Sequence, residues 1–114
     1  MKRGWFPKRG DVVWLDFDPQ AGREQAGRRP ALILSADEYN RRVGLALCCP
    51  ITSQKKGYPF EVDLPPGLPV TGVALVDQLR SLDWKARRAE FFCKINDNSL
   101  AEALAKVLPL LTEE

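Results

Sequence analysis

Histidine is absent from the 114-residue chain, and this absence excludes several kinds of catalytic site. Without imidazole there is no Ser-His-Asp triad, no Cys-His dyad and no HExxH metal site, so an enzyme of this composition must move protons with carboxylates, hydroxyls, Tyr, Lys or Arg. Cysteine is scarce as well. The three thiols, Cys48, Cys49 and Cys93, are one ligand short of a four-ligand zinc site and suit no disulfide framework. We therefore expect them to be small buried side chains in a reducing cytoplasm.

Long apolar segments are also missing. The longest nearly apolar stretch, Val43 to Ile51, is about half of the roughly 18–20 residues that a membrane-spanning helix requires. The N-terminus is basic but has no apolar segment typical of a signal peptide. The length favours one domain, residues 1–114, and 45% hydrophobic with 28% charged residues is typical of a globular protein. These features predict a single-domain cytoplasmic protein with no membrane partner.

Positive and negative charges nearly balance, with 17 Lys+Arg against 15 Asp+Glu, but the cations are clustered. The clusters are Lys2, Arg3, Lys8 and Arg9, then Arg23, Arg28 and Arg29, and finally Arg80, Lys85, Arg87 and Arg88. Clusters of this kind form an anion-binding face if the fold brings them together, and otherwise they are ordinary solvated surface. The charge pattern alone leaves both interpretations open.

Short β-branched and aromatic segments, separated by turn residues, predict a small antiparallel β protein. The predicted strands are Asp11–Phe17, Ala31–Leu34, Leu45–Cys49, Phe60–Val62, Val73–Val76 and Ala89–Cys93. Ser35 and Glu38 resemble a capping box that begins a brief helical turn. Strands this short, with compact loops between them, favour a strongly curved sheet or a barrel.

The C-terminal segment has a different pattern. Apolar residues between Leu100 and Leu111 recur at helical spacing, and Ser99 with Glu102 forms a capping box for that helix. Pro109 has no amide hydrogen, so we expect the helix to stop or kink there. The apolar stripe predicts core packing or packing against a second copy of the chain.

Three polar segments are candidates for the chemistry. In the loop 22–30, Glu24 lies five residues from Arg29, so a carboxylate base and a guanidinium clamp can surround one phosphate. Segment 50–54 offers a hydroxyl and an amide, and segment 77–84 alternates polar with aromatic side chains that can read or stack on bases. Each segment also has a structural interpretation without function. The first is a solvated loop, the second is a turn whose side chains bond to its own backbone, and the third packs its apolar residues in the core.

Four motifs resemble the MazF/PemK family of toxins from toxin–antitoxin systems. They are RGDVVWLDFDP, EQAGRRPALILS, CPITSQKKGYPFEV and GVALVDQLRSLDWKARR, and the similarity runs from about Lys8 through Arg88. The resemblance implies a mainly β fold with a C-terminal helix, a small SH3-like barrel of the PemK/CcdB type, which forms a homodimer. It further implies an endoribonuclease that cuts single-stranded mRNA without a metal or other cofactor. The implied protein partner is a cognate MazE-like antitoxin that lays a flexible acidic tail across the RNA groove.

The resemblance also assigns roles to individual residues. Arg29 and Thr52 are implied to be catalytic, with Glu24 beside them as the general base. The residues implied to bind RNA are Phe17, Arg28, Gln54, Lys56, Gln78, Arg80, Ser81 and Arg87. The expected reaction is attack of the ribose 2′-hydroxyl on the adjacent phosphorus, giving a 2′,3′-cyclic phosphate and a 5′-hydroxyl. The group that protonates the leaving 5′ oxygen is left open.

Three other functions compete with this hypothesis. A CcdB-like gyrase poison shares the architecture but uses a C-terminus that ends near a tryptophan, whereas this chain ends Leu111-Thr112-Glu113-Glu114. A non-catalytic RNA- or DNA-binding module would bind without cutting. A Mg²⁺-dependent nuclease would use Asp16 and Asp18, a weak signal at a strand end.

Overall fold

Antiparallel strands make up most of the computed structural model, which describes residues 4–18 and 22–112. The strands in these ranges are β1 (Asp11–Asp16), β2 (Arg28–Ile33), β3 (Leu45–Thr52), β4 (Glu61–Asp63), β5 (Val73–Leu75), β6 (Arg80–Asp83) and β7 (Glu90–Lys94). The helices are α1 (Asp37–Val43) and α2 (Asp97–Leu111), and a 3₁₀ turn spans Val76–Gln78. The predicted β protein with a C-terminal helix is therefore confirmed.

Strand β3 is the centre of the sheet, whose order is β4-β5-β3-β2-β1-β7 with β6 also paired to β3. One side of β3 pairs with β2. The other side pairs first with β6, over Leu45–Cys48, and then with β5, over Ile51 and Thr52. Pro50 lies between the part of β3 that pairs with β6 and the part that pairs with β5. Its lack of an amide hydrogen therefore removes no hydrogen bond to either of these strands. The prediction that the strand ends at Pro50 is therefore wrong, and β3 continues to Thr52.

One further strand begins well before its predicted start, one strand was not predicted, and the bounds of β1, β4, β5 and β7 differ from the prediction by one residue. Strand β2 begins at Arg28, three residues earlier than expected, so Arg28 and Arg29 lie on a strand and not in the preceding loop. Strand β6 was not expected, because within Arg80–Asp83 only Leu82 is buried. The backbone hydrogen bonds of β6 come from its pairing with β3, which its own sequence pattern does not predict.

The sheet is buried on both faces, because successive side chains on a strand point to opposite sides. Val12 and Cys49 belong to the core under α2, and Val13 and Cys48 belong to the core on the other face. All four side chains are fully buried. Continuous apolar runs in β1 and β3 are thus explained, and the two adjacent cysteines act as core residues as expected.

Helix α1 does not use the predicted capping box. Its N-cap residue is Ala36, which makes no side-chain cap bond. The Ser35 hydroxyl bonds instead with the side chain of Asn40 and accepts from the Leu47 amide at 2.9 Å. Glu38 pairs with arginines one turn further along the helix. Ser35 therefore ties α1 to β3 and does not cap it.

Helix α2 begins and ends differently from the prediction. Its cap is Asn96, whose side chain accepts from the Ser99 amide at 2.8 Å, so Ser99 is inside the helix. The helix continues through Pro109 to Leu111, since a proline two residues before the end removes a single hydrogen bond. Neither helix in the described ranges is long and apolar enough to cross a membrane.

The apolar stripe of α2 is only partly used by the chain itself. Ala103 and Val107 are buried against the core. Leu104, Leu108 and Leu111 are 36%, 60% and 73% exposed. The helix therefore has a second apolar side that the described chain leaves in solvent.

We predict that the two core cysteines make the fold sensitive to alkaline pH. Burial raises the pKa of the Cys48 thiol to about 12 and raises the pKa of Cys49 further. An unfolded thiol has a pKa of about 8.5, so above that pH only the unfolded chain releases the proton and stability is lost as pH rises. Each thiol is expected to lower the free energy of unfolding by about 1.4 kcal/mol per pH unit.

Urea unfolding at pH 7.5 and pH 10 measures this loss. Cys48→Ala/Cys49→Ala is expected to have a flatter pH dependence than the unmodified chain, whatever its stability at pH 7.5. Cys93→Ala is the control, since Cys93 is only partly buried and burial raises its pKa less. Equal pH dependence for all three proteins would contradict the prediction.

Candidate functional site

Two adjoining hollows open where β2 begins and β3 ends, and we call them together the cleft. The polar residues that line the first, of about 680 Å³, are Arg23, Glu24, Gln25, Thr52, Gln54, Lys56, Tyr58, Glu61, Asp77 and Gln78. Those that line the second, of about 370 Å³, are Gln25, Arg29, Thr52, Ser53, Gln54 and Thr71. Gln25, Thr52 and Gln54 line both hollows, so the cleft is continuous.

Strand pairing brings Arg29 and Thr52 together. The β2–β3 ladder runs from Ile33↔Cys48 to Ala31↔Pro50. Extending that register by two residues places Arg29 opposite Thr52, on the same face as Ala31, because the side-chain period of a strand is two. Both side chains line the second hollow.

The hydrogen bonds of these two side chains leave their reactive groups available. The Nε of Arg29 donates to the Ala26 carbonyl at 2.9 Å, which fixes the guanidinium plane. Within the described part of the chain, its two Nη groups make no hydrogen bond or ion pair. The Thr52 hydroxyl accepts from the Gln54 amide at 3.2 Å, so its own hydrogen can be donated to another oxygen. The pair can therefore bind a phosphate group.

Glu24 reaches the cleft from the loop between β1 and β2. The neck of this loop is closed by the Phe17 amide, which donates to the Gly27 carbonyl at 2.9 Å, and by the Gly27 amide, which donates to Oδ1 of Asp18 at 3.0 Å. Glu24 is exposed near its tip and lines the first hollow. The structure thus places Glu24, Arg29 and Thr52 around one cleft.

Glu61 is a cleft residue that the sequence did not identify. It is 7% exposed, and its two carboxylate oxygens accept from the Lys56 amide at 3.0 Å and the Gly57 amide at 2.9 Å. The carboxylate therefore shapes the segment that carries Gln54 and Lys56. An acid inside the predicted apolar strand Phe60–Val62 was the available signal.

Charges of both signs meet in the cleft. Among the residues that the structure describes there, the cationic side chains are Arg23, Arg29 and Lys56 and the acidic ones are Glu24, Glu61 and Asp77. Three positive and three negative charges balance. The cleft can therefore hold an anion next to a carboxylate base, but it is not a strongly basic groove.

Five residues that the resemblance assigns to RNA binding lie outside the cleft, and three of them are Phe17, Arg80 and Ser81. Phe17 is 1% exposed and packs in the core against Leu15 and Trp84. Arg80 is half-buried on β6, and its Nη1 is buried without a hydrogen-bond partner among the described residues. Ser81 is exposed on the same strand. The aromatic ring of Phe17 is part of the core and does not line the cleft.

Arg28 and Arg87 line a separate hollow with Asp16 and Asp18. Arg28 donates to Oδ1 of Asp16 at 3.1 Å, and Arg87 donates to the carbonyls of Asp16 and Asp18. Arg88 also pairs with Asp16, at 2.7 Å, and hydrogen bonds from Arg88 and then Arg28 hold the pKa of that carboxyl below its usual value. These arginines stabilise the protein's own loops and do not line the cleft.

The two aspartates proposed for Mg²⁺ are occupied by protein donors. Asp16 binds two guanidinium groups, and Asp18 accepts from the Gly27 amide. In residues 4–18 and 22–112, no group of three Cys, Asp or Glu side chains is arranged to hold a metal ion.

The two described residues of the N-terminal basic cluster, Lys8 and Arg9, bind backbone carbonyl groups of the chain itself. Lys8 donates to the Phe6 carbonyl, and Arg9 donates to the Leu34 carbonyl at 2.8 Å. Lys2 and Arg3 lie outside the described residues. The second and third basic clusters do meet, because Arg28 lines one hollow together with Arg87 and Arg88.

Comparison with known proteins gives consistent matches. A family model described as the PemK-like, MazF-like toxin of type II toxin–antitoxin systems matches residues 8–111. The endoribonuclease toxin MazF of Escherichia coli K12 is 54% identical over 85 residues, covering 75% of this chain and 76% of that protein. The endoribonuclease PemK of Escherichia coli is 33% identical over 110 residues, covering 92% of this chain and 82% of that protein.

Solved structures share the fold. MazF (form I) from Deinococcus radiodurans has a TM-score of 0.90 at 54% identity, covering 94% of this chain and 97% of that chain. A MazE–MazF structure (form II) from the same species has a TM-score of 0.84 at 54% identity, covering 94% and 96%. The barrel-like architecture that the sequence predicts is therefore confirmed.

We predict that Gly72 is required for the position of Thr52. Gly72 has a φ of +115°, and a Cβ there would lie 2.1 Å from the Thr52 carbonyl oxygen. Gly72→Ala must therefore displace the end of β3. Gly44→Ala is the matched control, since Gly44 has a φ of +81° but open space around it, and strain alone costs about 1–2 kcal/mol. Urea unfolding should show a larger loss for Gly72→Ala, and equal losses would contradict the steric argument.

Proposed function

The chain belongs to the PemK-like, MazF-like toxins of type II toxin–antitoxin systems and is an endoribonuclease, and we propose that it cleaves single-stranded RNA in the cleft between Glu24, Arg29 and Thr52. The observation that supports this site is the placement of Arg29 and Thr52 at the facing ends of β2 and β3. Their Nη groups and hydroxyl hydrogen are open to a phosphate, and Glu24 lines the same cleft.

The proposed reaction uses a nucleophile that RNA carries itself. The ribose 2′ oxygen loses its proton and attacks the adjacent phosphorus, the bond from phosphorus to the 5′ oxygen breaks, and that oxygen takes up a proton from water, so the products are a 2′,3′-cyclic phosphate and a 5′-hydroxyl. The protein then has to position the phosphate, remove the 2′ proton and stabilise the added negative charge. Arg29 supplies positive charge directly at the phosphate, so the mechanism requires no metal ion.

Each side chain has a role that its contacts allow. Glu24 removes the 2′ proton. Arg29, held in plane by the Ala26 carbonyl, binds the phosphate oxygens with both Nη groups. Thr52 donates its hydroxyl hydrogen to the same phosphate and orients it. Gln54 and Lys56, which line the cleft beside Thr52, contact the neighbouring nucleotides.

The chain acts with a cognate antitoxin, and we propose that an acidic segment of that partner blocks the cleft. The support is chemical. Arg23, Arg29 and Lys56 line the cleft and can pair with the carboxylates of a flexible acidic tail, as they would with phosphates. Occupying the cleft would exclude RNA.

We also propose that two copies of the chain associate through the exposed side of α2. Leu104 and Leu111 line an apolar hollow together with Tyr39 of α1 and Leu47 of β3. Leu108, on the same stripe, is 60% exposed. A contiguous apolar surface formed by two helices and a strand is typical of a protein interface.

Arg29→Ala is expected to reduce RNA cleavage by at least about 100-fold, because it removes the cation that stabilises the charged phosphorane. The measurement is incubation with a long single-stranded RNA in excess EDTA, followed by mapping of the cut ends. Arg42→Ala is the control, since it removes the same charge from the outer surface of α1, where Arg42 is 73% exposed. The unmodified chain and Arg42→Ala should give discrete cuts with 5′-hydroxyl ends.

Other outcomes decide against particular parts of the proposal. Undiminished cleavage by Arg29→Ala would overturn its catalytic role. Cleavage that needs added Mg²⁺ would overturn metal independence. RNA left intact under all conditions would favour a gyrase poison or a non-catalytic binding protein. A substrate with deoxyribose at the cut site should bind and stay intact, because it lacks the nucleophile.

Leu108→Glu is expected to shift the protein from dimer to monomer in sedimentation equilibrium. The reason is that a carboxylate cannot be buried in an apolar interface without a partner. Phe91→Glu is the matched control, since Phe91 is 51% exposed on β7, at the end of the sheet remote from β3. If Leu108→Glu leaves the mass unchanged, association does not use this side of α2.

A further inference from the structure

A side-chain hydrogen bond joins the two walls of the cleft. Oε1 of Gln78 accepts from the backbone amide of Gln25 at 3.1 Å, between residues 53 positions apart in the chain. Gln25 directly follows Glu24 in the loop between β1 and β2. The other bonds described for this loop, at Gly27 and Ala26, connect it to its own neck and to β2. The bond from Gln78 is therefore a tie to a different part of the fold.

The two ends of this tie differ in their anchoring. Gln78 ends the 3₁₀ turn that begins at Val76, which is fully buried and donates its amide to the Phe60 carbonyl at 3.2 Å. This turn packs against α2 and β3. Glu24, in contrast, is exposed near the tip of its loop. A rigid support thus holds an exposed loop by its backbone.

The bond also determines which atoms of Gln78 are used. The amide oxygen accepts from Gln25, so one of its two lone pairs is already used, and the Nε2 donors are left. The sequence resemblance assigns Gln78 to RNA binding. Its bond to Gln25 indicates a second task for the side chain, which is to hold the loop.

We propose that Gln78 is a positioning residue for catalysis, which holds the loop so that Glu24 stays beside the scissile phosphate. This inference rests on the proposed function. Because Gln78 acts on the loop, its loss slows the chemical step and has little effect on RNA affinity. Small displacements of a catalytic group cost roughly 10- to 100-fold in rate.

Two substitutions separate positioning from base reading. Gln78→Glu keeps an oxygen that can accept from Gln25 but loses the amide donors. Gln78→Met keeps the length of the side chain and loses both functions. Asn98→Met, on the exposed first turn of α2, is the control for replacing an amide with a thioether. Urea unfolding of each variant tests whether it folds.

Three quantities are measured on the full chain. The first is the cleavage rate at saturating protein, and the second is the affinity for RNA with deoxyribose at the cut site. The third is hydrogen exchange at the Gln25 amide, which reports on the tie without any need for activity.

We expect Gln78→Met to cut roughly 10- to 100-fold more slowly, with affinity changed less than threefold and with faster exchange at Gln25. Gln78→Glu should recover most of the rate and the slow exchange. Equal losses of affinity in both variants would overturn the proposal in favour of base reading, and an unchanged rate in Gln78→Met would overturn it outright. If the unmodified chain cuts no RNA, the proposed function fails and the catalytic role with it, while the exchange data still show whether the tie exists.

Discussion

Antiparallel pairing between β2 and β3 fixes the relative positions of Arg29 and Thr52, and most of the molecule supports that pairing. Both strands pack against a core on each face, so a slip by one residue would move every apolar side chain from one core into the other, where the packing does not fit it. Pro50 lets β3 change partners without breaking, which carries the strand on to Thr52. The proximity of Arg29 and Thr52 is thus a consequence of sheet register. The loops that surround them bring Glu24, Gln54 and Lys56 to the same cleft.

Much of the fold followed from local patterns in the sequence. Strands such as β1 and the stripe of α2 were predicted because burial imposes a period on apolar residues. Strand β6 was missed because its backbone bonds depend on β3, which is distant in the chain. The helix cap at Asn96 and the continuation through Pro109 were missed for a related reason. Several neighbouring residues can act as the first or the last residue of a helix, and the backbone geometry of the whole turn decides which of them does.

The three residues proposed for catalysis could be named from the sequence, whereas several of the contacts around them could not. The resemblance identified Glu24, Arg29 and Thr52, which the structure places around one cleft. It separated Arg29 from Arg28, but it did not indicate that Arg28 pairs with Asp16 and lies outside the cleft. Glu61 was missed because its role is to bind backbone amides, and no side-chain motif marks such a contact.

The balanced charge of the cleft has a consequence for how the protein responds to ionic strength. Affinity for a single-stranded nucleic acid falls with salt in proportion to the phosphates that cations neutralise, with a slope of about −0.7 for each one. Among the described residues, three cationic side chains line the cleft, so an RNA bound there as proposed would show a slope of about −2 from them, and the three carboxylates beside them would make it shallower. Counterion release at these residues would then contribute little to binding. Discrimination among RNA sequences would come from the shape of the cleft and its hydrogen bonds.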